Sequence, residues 1–211
     1  MRRGKFESTN RPEQTGDGDS VSIKESFTKS VYAYLHDMVF LLIAIVLVLV
    51  FCFRVVIVSG SSMKNTLVDG DYVVLLSNYL YHNPKQGHIV VACKDSFRNG
   101  EPIIKRIIAL EGQKVDIDFE AGIVYVDDVA LEEDYLGSPT HTPEGVQFPL
   151  VVEEGCVFVL GDNRMESQDG RSPSIGMIDQ REILGRAFFL MIPGNDKGNS
   201  MRDLRRIGGL G

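Results

Sequence analysis

Sixteen consecutive uncharged, almost wholly apolar residues, Met38 to Phe53 (MVFLLIAIVLVLVFCF), limit what this chain can fold into more than any other feature. After Arg54 the run resumes as Val55-Val56-Ile57-Val58, so that 38–58 makes a stretch of 21 residues. A helix of that length rises about 31 Å, which matches the hydrocarbon core of a bilayer. The run leaves no polar face for the solvent side of a core helix. The 37 residues ahead of it are more than a cleaved export signal carries before its apolar region. The sequence therefore predicts an uncleaved transmembrane helix over 38–58, with Arg54 near one end where its long stem reaches the headgroups. Arg2, Arg3, Lys5, Arg11, Lys24 and Lys29 precede the span, whereas after Arg54 only Lys64 comes before Lys85. That bias predicts a cytoplasmic tail over 1–37 and an extracytoplasmic domain over 59–211. No second run of comparable length exists, so the expected topology is single-pass. Residues 1–20 are polar and rich in mixed charge and are expected to lack a stable fold. Residues 24–37 are expected to be a helix leading into the span.

The part beyond the span reads as β. Short β-branched and aromatic runs lie between Gly, Pro and Asp at 71–76, 88–93, 103–108, 123–126, 156–160 and 184–192. A mostly β domain preceded by one transmembrane helix is the predicted architecture. The chain holds 22 basic and 29 acidic residues, a net charge of -7, which argues against a bulk nucleic-acid binder. Cys52, Cys93 and Cys156 are too few and too scattered for a disulfide scaffold or a zinc site. A pairing of Cys93 with Cys156 stays open, and His36, His82, His88 and His141 show no ligand spacing. The C-terminal Arg202, Arg205 and Arg206 read either as a frayed basic tail or as a contact with anionic headgroups.

Three segments carry the chemistry. Ser59-Gly60-Ser61-Ser62-Met63-Lys64-Asn65-Thr66-Leu67 follows the span directly. Lys105 sits in a strand among Ile103, Ile104, Ile107 and Ile108, a setting that withholds water from its ammonium. Desolvation lowers a lysine pKa, and a neutral amine can take the proton from a serine hydroxyl. The third segment, Gly161-Asp162-Asn163-Arg164-Met165-Glu166-Ser167-Gln168-Asp169-Gly170-Arg171, follows a strand. Taken singly each has a plain reading: a flexible juncture, a snorkelling lysine, and a solvated loop with Asp162–Arg164 or Asp169–Arg171 pairs. Gly60 allows close backbone approach, and N–H groups near Ser62 can form an oxyanion hole.

Taken in order, the segments resemble the bacterial type I signal peptidases, membrane-bound serine endopeptidases with a Ser–Lys dyad. A span is followed by S-x-S-S-M-x-x-T-L, then K-R in an apolar strand, then G-D-N-R-x-x-S-x-D-x-R. The likeness covers about residues 30–192 and extends to Pro84–Val91 and Val152–Arg164. It implies a mostly antiparallel β fold, with Ser62 as nucleophile and Lys105 as general base. It implies Gly60 at an oxyanion position, with the Ser62 N–H contributing most. It implies Ser167 as the serine that hydrogen-bonds the lysine, and Asp162, Asn163, Arg164, Asp169 and Arg171 as supporting residues. Val58, Met63, Leu67 and Ile104 would line pockets for small substrate side chains. The implied activity is removal of signal peptides from exported preproteins after A-x-A sites, with no metal or cofactor. The implied partners are those preproteins and membrane lipid, with no nucleic acid and a monomeric enzyme, in the bacterial plasma membrane. Departures from the pattern are Asn65 for a proline, Ala109–Gln113 for G-L-P-G-D, His88 for an aspartate and Gly170 for a serine. The alternative is a catalytically weak or inactive module on the same fold that assists surface-protein or pilus assembly. A Ser–His enzyme would carry histidine where this chain has Lys105.

Overall fold

The computed structural model of the chain describes residues 18–195 and 202–210. The first 17 residues of the stretch expected to lack a fold, Arg2, Arg3, Lys5 and Arg11 among them, lie outside the described residues. The chain divides into two units, 1–47 and 48–211. Helix α1 (Gly18–Cys52) makes up the described part of the first unit and runs into the start of the second. Within it Lys29–Cys52, 24 residues, is long and apolar enough to cross a membrane, and its side chains are unburied.

The helix stops at Cys52, not at Val58 as expected, because residues 53–57 are a strand. Strand β1 (Phe53–Ile57) pairs antiparallel with β2 (Tyr72–Ser77), from Phe53 opposite Leu76 to Ile57 opposite Tyr72. Val55, Val56 and Ile57 are β-branched, stiff at χ1 and suited to an extended backbone. A neighbouring strand is available to take their backbone hydrogen bonds, and the apolar count alone carries no sign of that partner.

Six more strands complete the larger sheet: β3 (Ile89–Cys93), β4 (Pro102–Leu110), β9 (Cys156–Leu160), β10 (Ile178–Asp179), β11 (Ile183–Ile192) and β12 (Gly208–Gly209). Its order is β1-β2-β11-β3-β4-β9-β10, with β12 paired to the far end of β11. The smaller sheet is built from β5 (Lys114–Asp118), β6 (Ile123–Val126), β7 (Val129–Ala130) and β8 (Leu150–Val151), in the order β7-β6-β5-β8. Among the described residues every strand pairing is antiparallel, and the domain is mostly β as expected.

Three apolar clusters hold these sheets. Val58, Met63, Leu67, Val73, Leu75 and Leu190 pack beneath β1, β2 and β11. Val90, Ile107, Val159 and Ile178 pack between β3, β4 and β9. Ile108, Val115, Val124, Phe158 and Leu160 join the smaller sheet to β4 and β9. Full burial of each large aliphatic or aromatic side chain stabilises the fold by about 1.5–3 kcal/mol. β11 lies hard against β2 at Gly185, where a Cβ would come within 2.3 Å of the Leu76 carbonyl oxygen. The three cysteines are free thiols.

Candidate active site

Ser62 stands in the turn that follows β1, and the turn is wound by its own backbone. Lys64 N–H donates to Ser61 O at 3.0 Å, and Thr66 and Leu67 N–H both donate to Met63 O, at 3.1 and 2.8 Å. Gly60 opens the turn at φ +94°, a conformation open to glycine and strained for a residue with a Cβ. Its N–H donates to Asp69 Oδ1 at 2.9 Å, so that group is spent on the turn and is not offered to an oxyanion. The Ser62 N–H has no acceptor among the described residues.

Lys105 lies on β4, opposite Val90 of β3. It is 4% exposed, and its Nζ is hydrogen-bonded to Ser62 Oγ across 2.7 Å. A buried amine hydrogen-bonded to a hydroxyl is an arrangement in which a proton can pass between the two.

The loop after β9 ties these two segments together. Asn163 N–H donates to Ser62 O at 2.9 Å, and its side-chain amide donates to Ser61 O at 3.0 Å. Asp162 is wholly buried and receives Arg106 Nε and Nη2 at 2.8 and 2.7 Å. Asp162 also accepts from Thr66 Oγ1, so the residue beside Lys105 and the Ser62 turn share one carboxylate. Arg106 further donates to Gly87 O at 2.8 Å and lies 3.9 Å over the Tyr135 ring, a cation–π contact. Asp162 and Arg164 do not pair with each other. Arg164 is 1% exposed and donates to Gly161 O at 3.0 Å, to Glu133 and to Thr140.

Asp169 and Arg171 do pair, at 2.9 Å, both fully buried. Asp169 also receives Gly161 N–H at 3.0 Å, and Arg171 donates to the carbonyls of Arg164, Ser167 and Thr142. Burial of both charges is tolerable because the carboxylate and guanidinium are supplied with further hydrogen bonds. Glu144 joins Arg171 at 3.2 Å. Burial raises the Glu144 carboxyl above its ordinary range and Asp169 adds to this, while Arg171 and, more weakly, Lys105 pull it back. Gly161 has no room for a side chain. A Cβ there would stand 2.1 Å from Ser167 Oγ and 2.5 Å from the Ser62 carbonyl oxygen.

A groove of about 430 Å³ runs past Ser62 and Lys105. It is lined by 56–62 and 102–105, together with Val91, Phe97, Glu166 and Gln168. A second cavity of about 520 Å³ shares Ser59, Gly60, Ser61 and Glu166 with it and adds Lys64, Val68, Asp69 and Asn195.

With this geometry in view, a family profile described as "Signal peptidase, peptidase S26" matches residues 31–192. The chain belongs to the signal peptidase family. A probable signal peptidase I-1 from Synechocystis sp. is 36% identical over 169 residues, covering 75% of this chain and 82% of that protein. Signal peptidase I T from Bacillus subtilis is 31% identical over 193 residues, with coverage of 84% and 95%. Signal peptidase I from Bacillus licheniformis is 29% identical over 175 residues, with coverage of 79% and 91%. The family and the apolar N-terminal helix agree with membrane anchoring.

In this signal peptidase several residues sit otherwise than the sequence suggested. Val58 and Ile104 line the groove, whereas Met63 and Leu67 do not. Those two are 1% and 0% exposed because the wound turn directs them into the core with Val73 and Leu75. Ser167 was expected to hydrogen-bond Lys105. Its Oγ is instead buried with no hydrogen-bond partner among the described residues, lodged against Gly161 in the space a side chain there would fill. His88 takes Tyr81 as partner, Oη to Nδ1 at 2.9 Å. Thr66, Arg106, Glu133, Thr140 and Glu144 escaped the sequence reading, because the charged partners of their side chains lie 24 to 96 residues away and no local spacing marks them.

Proposed function

We propose that this family member removes signal peptides from exported preproteins by a Ser62–Lys105 dyad. The observation that carries the reading is the 2.7 Å approach of a buried Lys105 Nζ to Ser62 Oγ beside an open groove. A preprotein lies extended in that groove between 56–62 and 102–105. Val58, Ile104 and Val91 leave shallow apolar space, which suits small side chains of the A-x-A kind before the cut. Neutral Lys105 takes the Ser62 hydroxyl proton as Oγ attacks the scissile carbonyl. The Ser62 N–H donates to the resulting oxyanion. Lys105, now protonated, gives that proton to the departing amine, and the acyl group stays on Oγ. Lys105 then takes a proton from water, the hydroxide displaces Ser62, and the proton returns to Oγ.

The apolar helix anchors the enzyme in a plasma membrane as a single pass, in contact with lipid. Lys24 and Lys29 before the span, against Lys64 alone in the stretch after Arg54, favour a cytoplasmic N-terminus and an extracytoplasmic catalytic domain. A monomeric enzyme is part of the same proposal.

The test is cleavage of a precursor with an A-x-A site, in detergent, by wild type, Ser62→Ala and Lys105→Ala. Loss of the base lowers the rate by at least about 10²–10⁴-fold, and loss of the nucleophile by about 10⁶-fold, with melting temperatures near wild type. Near-normal cleavage by either variant would overturn the dyad. An inert wild type across several precursors would favour the assembly-module alternative.

A further inference from the structure

Residues 202–210 lie beyond the family match, and they reach back to the Ser62 turn. Gly208 and Gly209 pair with Leu190 and Phe189 of β11. Leu210 N–H donates to Phe188 O at 2.8 Å, and its side chain packs on the cluster that contains Val58, Met63 and Leu67. Asp203 caps a single turn, Leu204–Arg206, by accepting from Arg205 N–H. This seating delivers Arg206 to the wholly buried Asp71, with Nη1 on Oδ1 at 3.0 Å and Nη2 on Oδ2 at 2.7 Å. Asp71 also receives the N–H groups of Val68 and Gly194 at 2.8 and 2.6 Å. The expected frayed tail or headgroup contact is thus replaced, at Arg206, by a two-point ion pair.

Arg206 makes one more bond. Its Nη2 donates to Thr66 O at 3.1 Å. Thr66 closes the turn that begins at Ser62, and its hydroxyl is already on Asp162 beside Arg106. One residue of the turn is therefore gripped at both ends. Its side chain is held by the strand that carries Lys105, and its carbonyl by the C-terminal segment.

We propose that residues 202–210 form a strap and that Arg206 is a positioning residue, holding the Ser62 turn in register with Lys105. Planar, five-donor guanidinium geometry is what spans both carboxylate oxygens and a carbonyl together, and a lysine cannot do this. A displacement of about 1 Å at the nucleophile costs up to about 10²-fold in rate. The proposal rests on the Ser62–Lys105 reading.

The experiment uses the full chain in detergent and separates kcat from KM for one precursor. Arg206→Ala is expected to lower kcat by about tenfold with KM within about twofold. Arg206→Lys should recover only a minor part, and added guanidinium ion should restore part of the rate to Arg206→Ala but none to Arg206→Lys. Because Arg206→Ala leaves Asp71 buried without its counter-charge, Asp71→Asn/Arg206→Met is measured beside it, and its kcat should also fall. Wild-type kcat in a folded Arg206→Ala or double variant overturns the strap. So does a loss that follows the unfolded fraction in a melt and ignores guanidinium. Activity retained by Ser62→Ala marks failure of the dyad itself, a result independent of how Arg206 behaves.

Discussion

In the smaller sheet, three of the four strands neighbour one another in space as they do in sequence. β5, β6 and β7 follow in order, and Asp127 and Asp128, at φ 52° and 66°, turn the chain from Val126 to Val129. Two residues at positive φ make the hairpin turn that aspartate tolerates. In the larger sheet β11 separates β2 from β3, so strands over a hundred residues apart are partners. Every candidate catalytic residue belongs to the larger sheet or its loops. The smaller sheet meets them through the loop between β7 and β8, by the Tyr135 ring over Arg106, the Glu133 and Thr140 contacts to Arg164 and the Glu144–Arg171 pair, and through the shared packing of Phe158. Local pairing builds a support cheaply, whereas bringing a hydroxyl, an amine and a carboxylate network together takes long-range crossings.

The sharpest way to break this division of labour is Gly161→Ala. Its new methyl would push on Ser167 and on the Ser62 carbonyl, and cleavage should fall by about 10²-fold. Wild-type kcat in that variant would mean that the turn moves without consequence and that the tight packing is incidental. Val124→Ala probes the other side. Val124 is fully buried in the smaller sheet, and its loss should lower stability by about 2 kcal/mol. Activity per folded molecule should stay within about twofold of wild type. A tenfold fall in kcat, with folding unchanged, would show that the smaller sheet reaches the dyad.

The smallest expected effect concerns His88. Burial, with Arg186 and Lys85 adding to it, lowers its imidazole from 6.5 to about 4. Between those values the unfolded chain binds a proton that the folded chain does not. Stability contributed by the neutral ring is therefore complete above about 6.5 and lost as pH falls toward 4. The melting temperature should drop over that interval, and less so in His88→Gln. Equal drops would remove His88 as the cause. At neutral pH His88→Gln should cleave as wild type does.

What the sequence made legible follows the same contrast. β2, β3, β4, β6, β9 and β11 are apolar runs bounded by Gly, Pro or Asp, and they are visible because burial demands such runs. β5 shows only in its alternation, Lys114-Val115-Asp116-Ile117-Asp118, and its three charged residues set it apart from the apolar runs. β7, β8, β10 and β12 have two residues each, too few for any pattern. β1 was hidden because a β-branched apolar run next to a long apolar helix has the same composition whichever way it folds. At the site, the order of the serine, lysine and Gly-Asp-Asn segments was readable, and so was the Asp169–Arg171 pair two residues apart. The sharing of Asp162 by Arg106 and Thr66, and the Arg206–Asp71 pair, join residues 40 to 135 positions apart. No local spacing encodes such partners. The Ser167 expectation failed for a related reason, since the space its Oγ enters is defined by a glycine six residues earlier.

The position of β11 also sets a time. β1 and β2, which present Ser62, pair with each other, and β3 and β4, which present Lys105, pair with each other. In the sheet the two pairs meet only through Ile183–Ile192. A ribosome that has released Lys105 has delivered both members of the proposed dyad and not yet the strand that brings them side by side. While the chain is still being made, with other unfinished proteins nearby, the proposed dyad stays apart until Ile183–Ile192 has emerged.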